Sequence, residues 1–212
     1  MFGKILWALE RDPGGIPSRL AGVFEAWRLS LLSNVEIQGK VILLSKPIID
    51  IHKGSRLIIG AGVTLNSRNR GHHVNLFAPV KLFADRPGAV IRIGAETRIN
   101  GACLHAYESI SIGSRCMIGA NSQIFDCSAH DLSFPEVERR IHTEGMPRPI
   151  VIEDDVWIGT GSIILPGVTI GRGAVIGAGS VVMRSVPPMS VARGNPAEVV
   201  LDYGKLSAPD AS

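Results

Sequence analysis

An aliphatic residue returns every six positions through the second half of the chain, and this period constrains the fold more than any other feature. The row consists of Ile158, Ile164, Ile170, Ile176 and Val182, with small residues or turn formers after each in a recurrent frame. An amphipathic helix would repeat about every 3.6 residues and a half-buried strand every 2, whereas six is a period of β-helix repeats. The sequence therefore predicts an all-β chain that winds into a β-helix.

The physical basis of this period is that each hexad supplies one short strand and one bend. A single coil cannot bury its own apolar row, so the rows must stack on copies one coil away, about 4.8 Å along the axis. Glycine suits the bends because it tolerates positive φ. The same period occurs earlier at Ile93 and Ile99 and, after a one-residue slip near His105, at Ile112, Ile118 and Ile124. Residues 35–65 follow it in a looser form.

The stretch from Val156 to Asn195 resembles the hexapeptide-repeat acyltransferases. The resemblance covers roughly residues 90–200 and implies a left-handed parallel β-helix with three hexads in each coil. The general preference for right-handed crossovers would have favoured the opposite hand. Residues 35–200 are therefore expected to form one left-handed β-helix acyltransferase domain.

Two end segments fall outside the repeat. Residues 1–34 lack the hexad, and apolar residues at helical spacing from Pro17 predict a helical cap on the open end of the β-helix. The alternative is association of this N-terminal segment with a membrane surface, because Phe2 and Trp7 add apolar side chains beside a thin basic face. Residues 201–212 are predicted to be a short, frayed C-terminal tail.

Two internal segments interrupt the phase. It stops after His130, and residues 131–149 are rich in charge and proline, which predicts one long excursion loop; long loops in compact domains are usually functional. Residues 67–73 (SRNRGHH) are predicted to be a solvated loop. The alternative is a loop that holds an anionic substrate group, because arginine matches phosphate and carboxylate geometry.

Composition disfavours several classes of function. The net charge of +3 and the 5% aromatic content give neither the basic clusters nor the stacking platforms typical of nucleic-acid binding. The cysteines, Cys103, Cys116 and Cys127, form no CxxC pair, which predicts free thiols in a reducing compartment. Metal ligation by Cys127 and His130 is an alternative that lacks further ligands nearby. Without a run of about 18 apolar residues or a signal peptide, the predicted location is cytoplasmic.

Among six histidines, His130 stands out because it lies where the repeat breaks. Hexad phase would point it inward, six residues after Ile124, so the chain must redirect it. Histidine suits a general base that activates a hydroxyl near neutral pH. A structural histidine is the alternative.

Ser128-Ala129-His130, followed by the excursion and then DVWIG at residues 155–159, resembles the maltose and galactoside O-acetyltransferases. The resemblance implies that His130 is the general base, that Asn100, thirty residues upstream, holds the acceptor, and that the Thr160 N–H faces the thioester carbonyl. The alternative for Asn100 is a structural role in a turn. The alternative for Trp157 is packing against the wall of the β-helix. The resemblance further implies acetyl-CoA in a groove between neighbouring β-helices of a homotrimer. Its implied contacts are Trp157, Gly159, Thr160, Ala178, Gly179, Arg184 and Arg193. The family's Cys-Arg near the C-terminus is Ala197-Glu198 here.

The implied reaction is transfer of acetyl from acetyl-CoA to a hydroxyl of a saccharide, in a surface polysaccharide or a lipid-linked sugar. No metal and no covalent acyl-enzyme are expected, with Cys127 as a nucleophile the alternative. Three interpretations compete with this reaction: N-acetylation of a nucleotide-linked amino sugar, inactivation of an antibiotic, and a purely structural scaffold. The irregular segment over residues 56–88 suggests a bulky acceptor. The group that orients His130 is left open among Asp126, Asp131, a backbone carbonyl and a loop glutamate.

Overall fold

Six coils of short strands form the body of the protein. A computed structural model describes residues 15–206, with side chains over residues 22–204. The strands are β1 (Val35–Ile37), β2 (Ile42–Leu44), β3 (Ile48–Ile51), β4 (Arg56–Ile59), β5 (Thr64–Asn66), β6 (Lys81–Ala84), β7 (Val90–Ile93), β8 (Arg98–Asn100), β9 (Cys103–Ala106), β10 (Ser109–Ile112), β11 (Met117–Ile118), β12 (Gln123–Phe125), β13 (Ile150–Ile152), β14 (Trp157–Ile158), β15 (Ile163–Ile164), β16 (Thr169–Ile170), β17 (Val175–Ile176) and β18 (Val181–Val182). A terminal hairpin adds β19 (Ser190–Gly194) and β20 (Ala197–Asp202), and helices α1 (Gly15–Ser30) and α2 (Tyr203–Leu206) flank the strands.

Every third strand joins the same parallel sheet, so the chain winds as a three-sided prism. Sheet A runs β1-β4-β7-β10-β13-β16, sheet B runs β2-β5-β8-β11-β14-β17-β19-β20, and sheet C runs β3-β6-β9-β12-β15-β18. All pairings are parallel except that of β19 with β20. The left-handed parallel β-helix implied by the family resemblance is confirmed.

The middle residue of the hexad fills the interior. In sheet B, Ile118 lies in register with Ile158, and Ile158 with Ile176, and all three are buried. Full burial of one such side chain contributes about 1.5–3 kcal/mol. The columns therefore supply the packing that a single coil lacks.

Glycines at the corner between sheets B and C allow the coils to stack. A Cβ on Gly119 would lie 2.6 Å from the Gly159 carbonyl carbon, and one on Gly159 would lie 2.5 Å from the Ala178 nitrogen. Inside this corner, the buried hydroxyl of Ser162 donates to the carbonyls of Gly159 and Gly177 at 2.9 and 3.1 Å. A side chain at either glycine would push neighbouring coils apart.

Two segments leave the wall, where the sequence predicted one long excursion. The first, residues 126–149, connects sheet C to sheet A and contains a 3₁₀ helix at Val137–His142; we call it the His130 arm. The second, residues 67–80, connects sheet B to sheet C; we call it the upper arm. Of the segment expected to be irregular, residues 56–88, only the upper arm departs at length, because β4, β5 and β6 lie in the sheets.

The N-terminal helix lies across the first coil. Leu29 joins the buried core, and Gly22 meets the Leu43 carbonyl so closely that a Cβ there would overlap it. The opposite face is apolar and exposed, with Val23 69% accessible beside Phe24 and Trp27. A cap made by residues 1–34 stays a prediction, since residues 1–14 lie outside the described part of the chain.

The C-terminal segment is ordered further than the predicted tail over residues 201–212 allows. Strand β20 pairs with β19 as far as Asp202, and α2 continues to Leu206. Residues 207–212 lie outside the described part. Over residues 15–206, neither helix combines the length and the hydropathy that crossing a bilayer requires.

Replacing Ile158 by alanine tests the stacked columns. The residue is buried between Ile118 and Ile176, so the cavity should lower the free energy of unfolding by about 2–5 kcal/mol. Guanidinium unfolding followed by circular dichroism measures it. Ile48→Ala is the matched control, because Ile48 is 47% exposed and should lose less than about 1 kcal/mol. Equal losses would contradict the inward stacking.

Candidate active site

A groove with a volume of about 560 Å³ runs along the outer face of sheet B, from the third coil to the sixth. Its floor is formed by the outward side chains of β8, β11, β14 and β17, and its side wall by the upper arm. The predicted site residues that line it are Asn100, Trp157, Gly159, Thr160 and Ala178. The structure thus brings together five residues that are distant in sequence.

A row of backbone N–H groups lines the corner side of this groove. The amides of Ala120, Thr160 and Ala178 follow the stacked corner glycines. Within residues 15–206 none of the three donates a hydrogen bond, although the Thr160 carbonyl accepts one from Gly179 at 2.8 Å. Such donors suit the oxyanion that forms when a thioester carbonyl is attacked. The Thr160 N–H is therefore available for the predicted role.

Asn100 is held rigidly at the end of β8. Its Nδ2 donates to the Ile118 carbonyl at 3.2 Å, and its Oδ1 accepts from Nδ2 of Asn66, its register partner in β5, at 3.2 Å. The left-handed turn conformation belongs to Gly101, with φ of 50°, and not to Asn100. The amide is thus fixed by the coils on both sides, as a group that positions a substrate should be.

Trp157 lies on the outer face of β14. It is in register with Met117 and Val175, and its side chain is 52% exposed. The indole therefore forms part of the groove floor rather than of the core. It supplies the broadest apolar surface along this row.

His130 is exposed on its arm because the preceding residue turns the chain. Ala129 has φ of 64°, which non-glycine residues seldom adopt, and this redirects His130 out of the hexad phase. Its Nδ1 lies 3.1 Å from the Thr143 carbonyl. A carbonyl only accepts hydrogen bonds, so Nδ1 carries a proton, and in the neutral imidazole the lone pair is then on Nε2. The orienting group left open by the sequence is this backbone carbonyl.

Asp126 was one of the candidates for orienting the imidazole, but it binds backbone N–H groups instead. It is fully buried and accepts the N–H groups of Tyr107, Glu108 and Ser109 at 2.7–2.8 Å. Both carboxylate oxygens are occupied by these bonds. Asp126 therefore fixes the corner beneath the His130 arm and does not contact the imidazole.

The His130 arm is held by its own hydrogen bonds and by one ion pair. The Thr143 hydroxyl donates to the Arg140 carbonyl at 2.7 Å and accepts from the Asp131 N–H at 2.9 Å. Glu144 pairs with Arg86 at 3.3 Å, and that guanidinium lies 3.6 Å over the Tyr107 ring. These contacts keep the Thr143 carbonyl beside His130.

The predicted residues fall into two groups that one chain keeps apart. The groove opens at the corner between sheets B and C, whereas His130 follows sheet C at its other corner and does not line the groove. Strand β12 and the turns at its two ends separate these corners. Arg184 follows β18 at the same corner as His130.

The remaining predicted residues lie at the lower end of the groove. Gly179 follows Ala178 at the corner, with φ of 68°. Arg193 is exposed, and its Cβ would lie 2.8 Å from a Cβ placed on Gly177, a groove residue. Arg193 therefore lies beside the sixth coil, where a phosphate could reach it.

Cys116 and Cys127 are buried, and Cys103 is half-buried. Burial raises the pKa of the Cys103 and Cys116 thiols, which lowers their thiolate content. Cys127 is buried, and its sulfur would be 2.9 Å from a Cβ on Gly145. A nucleophilic role for Cys127 would require the arm to open. Over the described residues, no three His, Cys, Asp or Glu side chains converge in a way that could hold a metal ion.

Three groove residues with a guanidinium or imidazole side chain are missing from the predicted site: Arg98, His72 and His73. Arg98 lies two positions before Asn100 on the same strand face, a spacing that could have identified it. The histidines lie in the segment interpreted as a solvated loop, with a loop holding an anionic substrate group as the alternative. No sequence signal places that loop over the groove.

Known proteins share both the repeat and the fold. A family model described as bacterial transferase hexapeptide (six repeats) matches residues 149–184, and one described as hexapeptide repeat of succinyl-transferase matches residues 109–124. The galactoside O-acetyltransferase of Lactococcus lactis is 35% identical over 126 residues, 59% of each chain. The chain spans only 42%, 33% and 59% of the lengths of the first curated relatives it matches.

Two solved structures share the fold at low identity. The maltose O-acetyltransferase of Clostridium difficile 630 has a TM-score of 0.53 at 22% identity, covering 88% of this chain and 87% of that chain. AntD, an N-acyltransferase from Bacillus cereus solved with dTDP and 3-hydroxybutyryl-CoA, has a TM-score of 0.57 at 19% identity, covering 80% and 84%. With its six-residue repeat, its three-sided prism and these matches, the chain belongs to the hexapeptide-repeat acetyltransferase family.

Proposed function

We propose that this protein transfers an acetyl group from acetyl-CoA to a hydroxyl of a saccharide, with His130 as the general base. The observation that carries the proposal is the groove, which brings Asn100, Trp157 and the available Thr160 N–H to one surface. The family resemblance supports acetyl-CoA as the donor. The name of the Lactococcus lactis relative supports an acetyl group and a sugar hydroxyl.

The reaction uses the neutral tautomer of His130 that the Thr143 carbonyl favours. Nε2 takes the proton of the acceptor hydroxyl as its oxygen attacks the thioester carbonyl carbon. The Thr160 N–H stabilises the resulting oxyanion, and Asn100 holds the acceptor. The oxyanion then collapses, the C–S bond breaks, and the imidazolium returns its proton to the departing thiolate. The reaction as proposed uses neither a metal ion nor a covalent acyl-enzyme.

The active site is proposed to form between two chains of a homotrimer. Asn100 and Thr160 lie at one corner of the prism and His130 at another, so a neighbouring chain must bring its His130 to the groove. The donor would lie along Trp157, Gly159, Ala178 and Gly179. The neighbour's Arg184 and the chain's own Arg193 are then the candidates for its phosphates.

Transfer to an amine is the second candidate, because the fold neighbour AntD is an N-acyltransferase. The same base and oxyanion donor would serve that reaction. A panel of hydroxyl and amine sugars, tested side by side for release of the coenzyme A thiol, decides between the two, and an antibiotic acceptor belongs in the same panel. A lipid-linked acceptor and a cytoplasmic location stay predictions.

Replacing His130 by alanine should lower kcat for thiol release by about 10²–10⁴-fold at saturating acceptor. The physical reason is that the hydroxyl loses its proton acceptor while the groove stays intact. Thiol release is followed with a chromogenic disulfide, and circular dichroism checks the fold.

His142→Ala is the matched control for this substitution. His142 is exposed on the same arm, in the 3₁₀ helix, and its loss should leave the rate unchanged. Equal rates for wild type and His130→Ala would exclude His130 as the base. An equal loss in both variants would indicate a disturbed arm instead.

Mixing two inactive variants tests the shared site. Chains with His130→Ala and chains with Asn100→Ala, unfolded and refolded together, should regain about a quarter of the wild-type activity, because random cyclic trimers pair an intact Asn100 with a neighbour's intact His130 at that frequency. Each variant refolded alone is the control. A refolded mixture as inactive as its components would show that one chain supplies both residues.

A further inference from the structure

An arginine lies at the upper end of the groove. Arg98 is the first residue of β8, exposed on the same outer face as Asn100, and it lines the groove. Its register neighbours, Thr64 and Met117, are uncharged. Across the described residues 15–206, no carboxylate or other acceptor is paired with Arg98.

Two nearby outward arginines differ in this respect. Arg115, at the corner between sheets A and B, binds Asp155 through two hydrogen bonds of 2.6 and 3.0 Å. Arg56 on sheet A pairs with Glu36 at 3.1 Å.

The side chains of Arg92 and Arg184, which are exposed outside the groove, also make no hydrogen bond or ion pair with a described residue. The feature that distinguishes Arg98 is therefore its place inside the groove. Its fork of donors is free for a planar anion.

The upper arm places two imidazoles at the same end of the groove. The His72 and His73 rings stack with centroids 4.5 Å apart, and Nδ1 of His72 lies 2.9 Å from the Val74 carbonyl. The arm is tied to the wall by Asn121, which accepts from the Phe77 N–H and donates to the Asn75 carbonyl, at 2.9 and 2.8 Å. The histidines are thus held at the groove and not on a loose loop.

Among the described residues, the groove lining carries positive charge at Arg98 and no negative charge. It contains Arg98 beside the imidazoles of His72 and His73, and within the described part of the chain no aspartate or glutamate lines it. Arg98 also lines a neighbouring depression, which contains Glu96. A groove of this character attracts an anionic ligand and disfavours a cationic one.

The location of Arg98 separates this anion from the phosphates of the donor. In the proposed function, the donor extends from Thr160 towards Ala178 and Arg193, in the fifth and sixth coils. Arg98 lies in the third coil, on the same strand as Asn100, on the acceptor side of the reacting atoms. The anionic group must therefore belong to the acceptor.

We propose that the acceptor is an acidic saccharide, and that Arg98 binds its carboxylate with the His72–His73 pair closing that end of the groove. This inference rests on the proposed function for the identity of the groove as an acetyl-transfer site. A charge-assisted fork of two parallel bonds would fix both the sugar's position and its orientation. Arg98 is thus a specificity-determining residue, and the base and oxyanion donor act on whichever hydroxyl it presents.

The test compares matched acceptors that differ in one group. Methyl glucuronide carries a carboxylate where methyl glucoside carries a hydroxymethyl group, and the corresponding galactose pair differs in the same way. Glucose 6-phosphate tests whether a phosphate can replace the carboxylate. Calorimetric titration of the full-length protein measures binding without requiring turnover. For at least one pair, the acidic member should bind about 10- to 100-fold more tightly, because a hydrogen bond to a charged group changes the dissociation constant by about that factor.

Arg98→Gln should abolish this preference and leave binding of acetyl-CoA unchanged. Arg92→Gln is the matched control, because Arg92 is equally exposed in the same coil on sheet A and should keep the preference. Three outcomes would overturn the proposal. The wild type could bind acidic and neutral sugars equally, or it could prefer the phosphate over both. Arg98→Gln could also lose only its binding of acetyl-CoA. Acidic sugar that binds through Arg98 without thiol release would support this inference and refute acetyl transfer, so the two failures are distinguishable.

Discussion

The stacking of one coil on the next is the constraint on which the whole structure depends. Columns such as Ile118, Ile158 and Ile176 fill the prism, and glycine corners let the backbones meet. Because this interior is packed with aliphatic side chains, it holds no room for a substrate. All chemistry must lie on the outer faces, at the corners, or on segments that leave the wall. Both arms and the groove follow from that restriction.

A rigid prism also fixes which residues can meet. Each hexad assigns its residues to one sheet or one corner, and the corner of His130 is not the corner of Asn100. No small movement of a stacked coil would bring them together, since shifting one coil would break the columns above and below it. The arrangement thus separates the base from the surface it is proposed to serve. A second chain is the simplest way to unite them.

Hydrogen bonds hold the side chains of the candidate site, and one ion pair supports the His130 arm. Asn100 is held by Asn66 and the Ile118 carbonyl, and His130 by the Thr143 carbonyl. The ion pair between Glu144 and Arg86 belongs to the arm. A larger charged cluster lies away from the site, where Arg115 lowers the pKa of the exposed Asp155 carboxyl, and exposed pairs contribute little to stability. Arg98 lines the groove and no described residue pairs with it, and the combination of the two indicates a ligand.

The six-residue period by itself determined the parallel coils and their buried columns, because only a β-helix buries an aliphatic row of that spacing. The break after His130 likewise marked that residue, and the resemblance to the maltose and galactoside O-acetyltransferases implied an acceptor-holding role for Asn100; both roles stay proposals. The tertiary structure alone decided that Thr143 orients His130, that Arg184 lies away from the groove, and that the upper arm crosses to Asn121. Those facts depend on contacts between residues far apart in sequence, where the arms have no period from which a position could be counted.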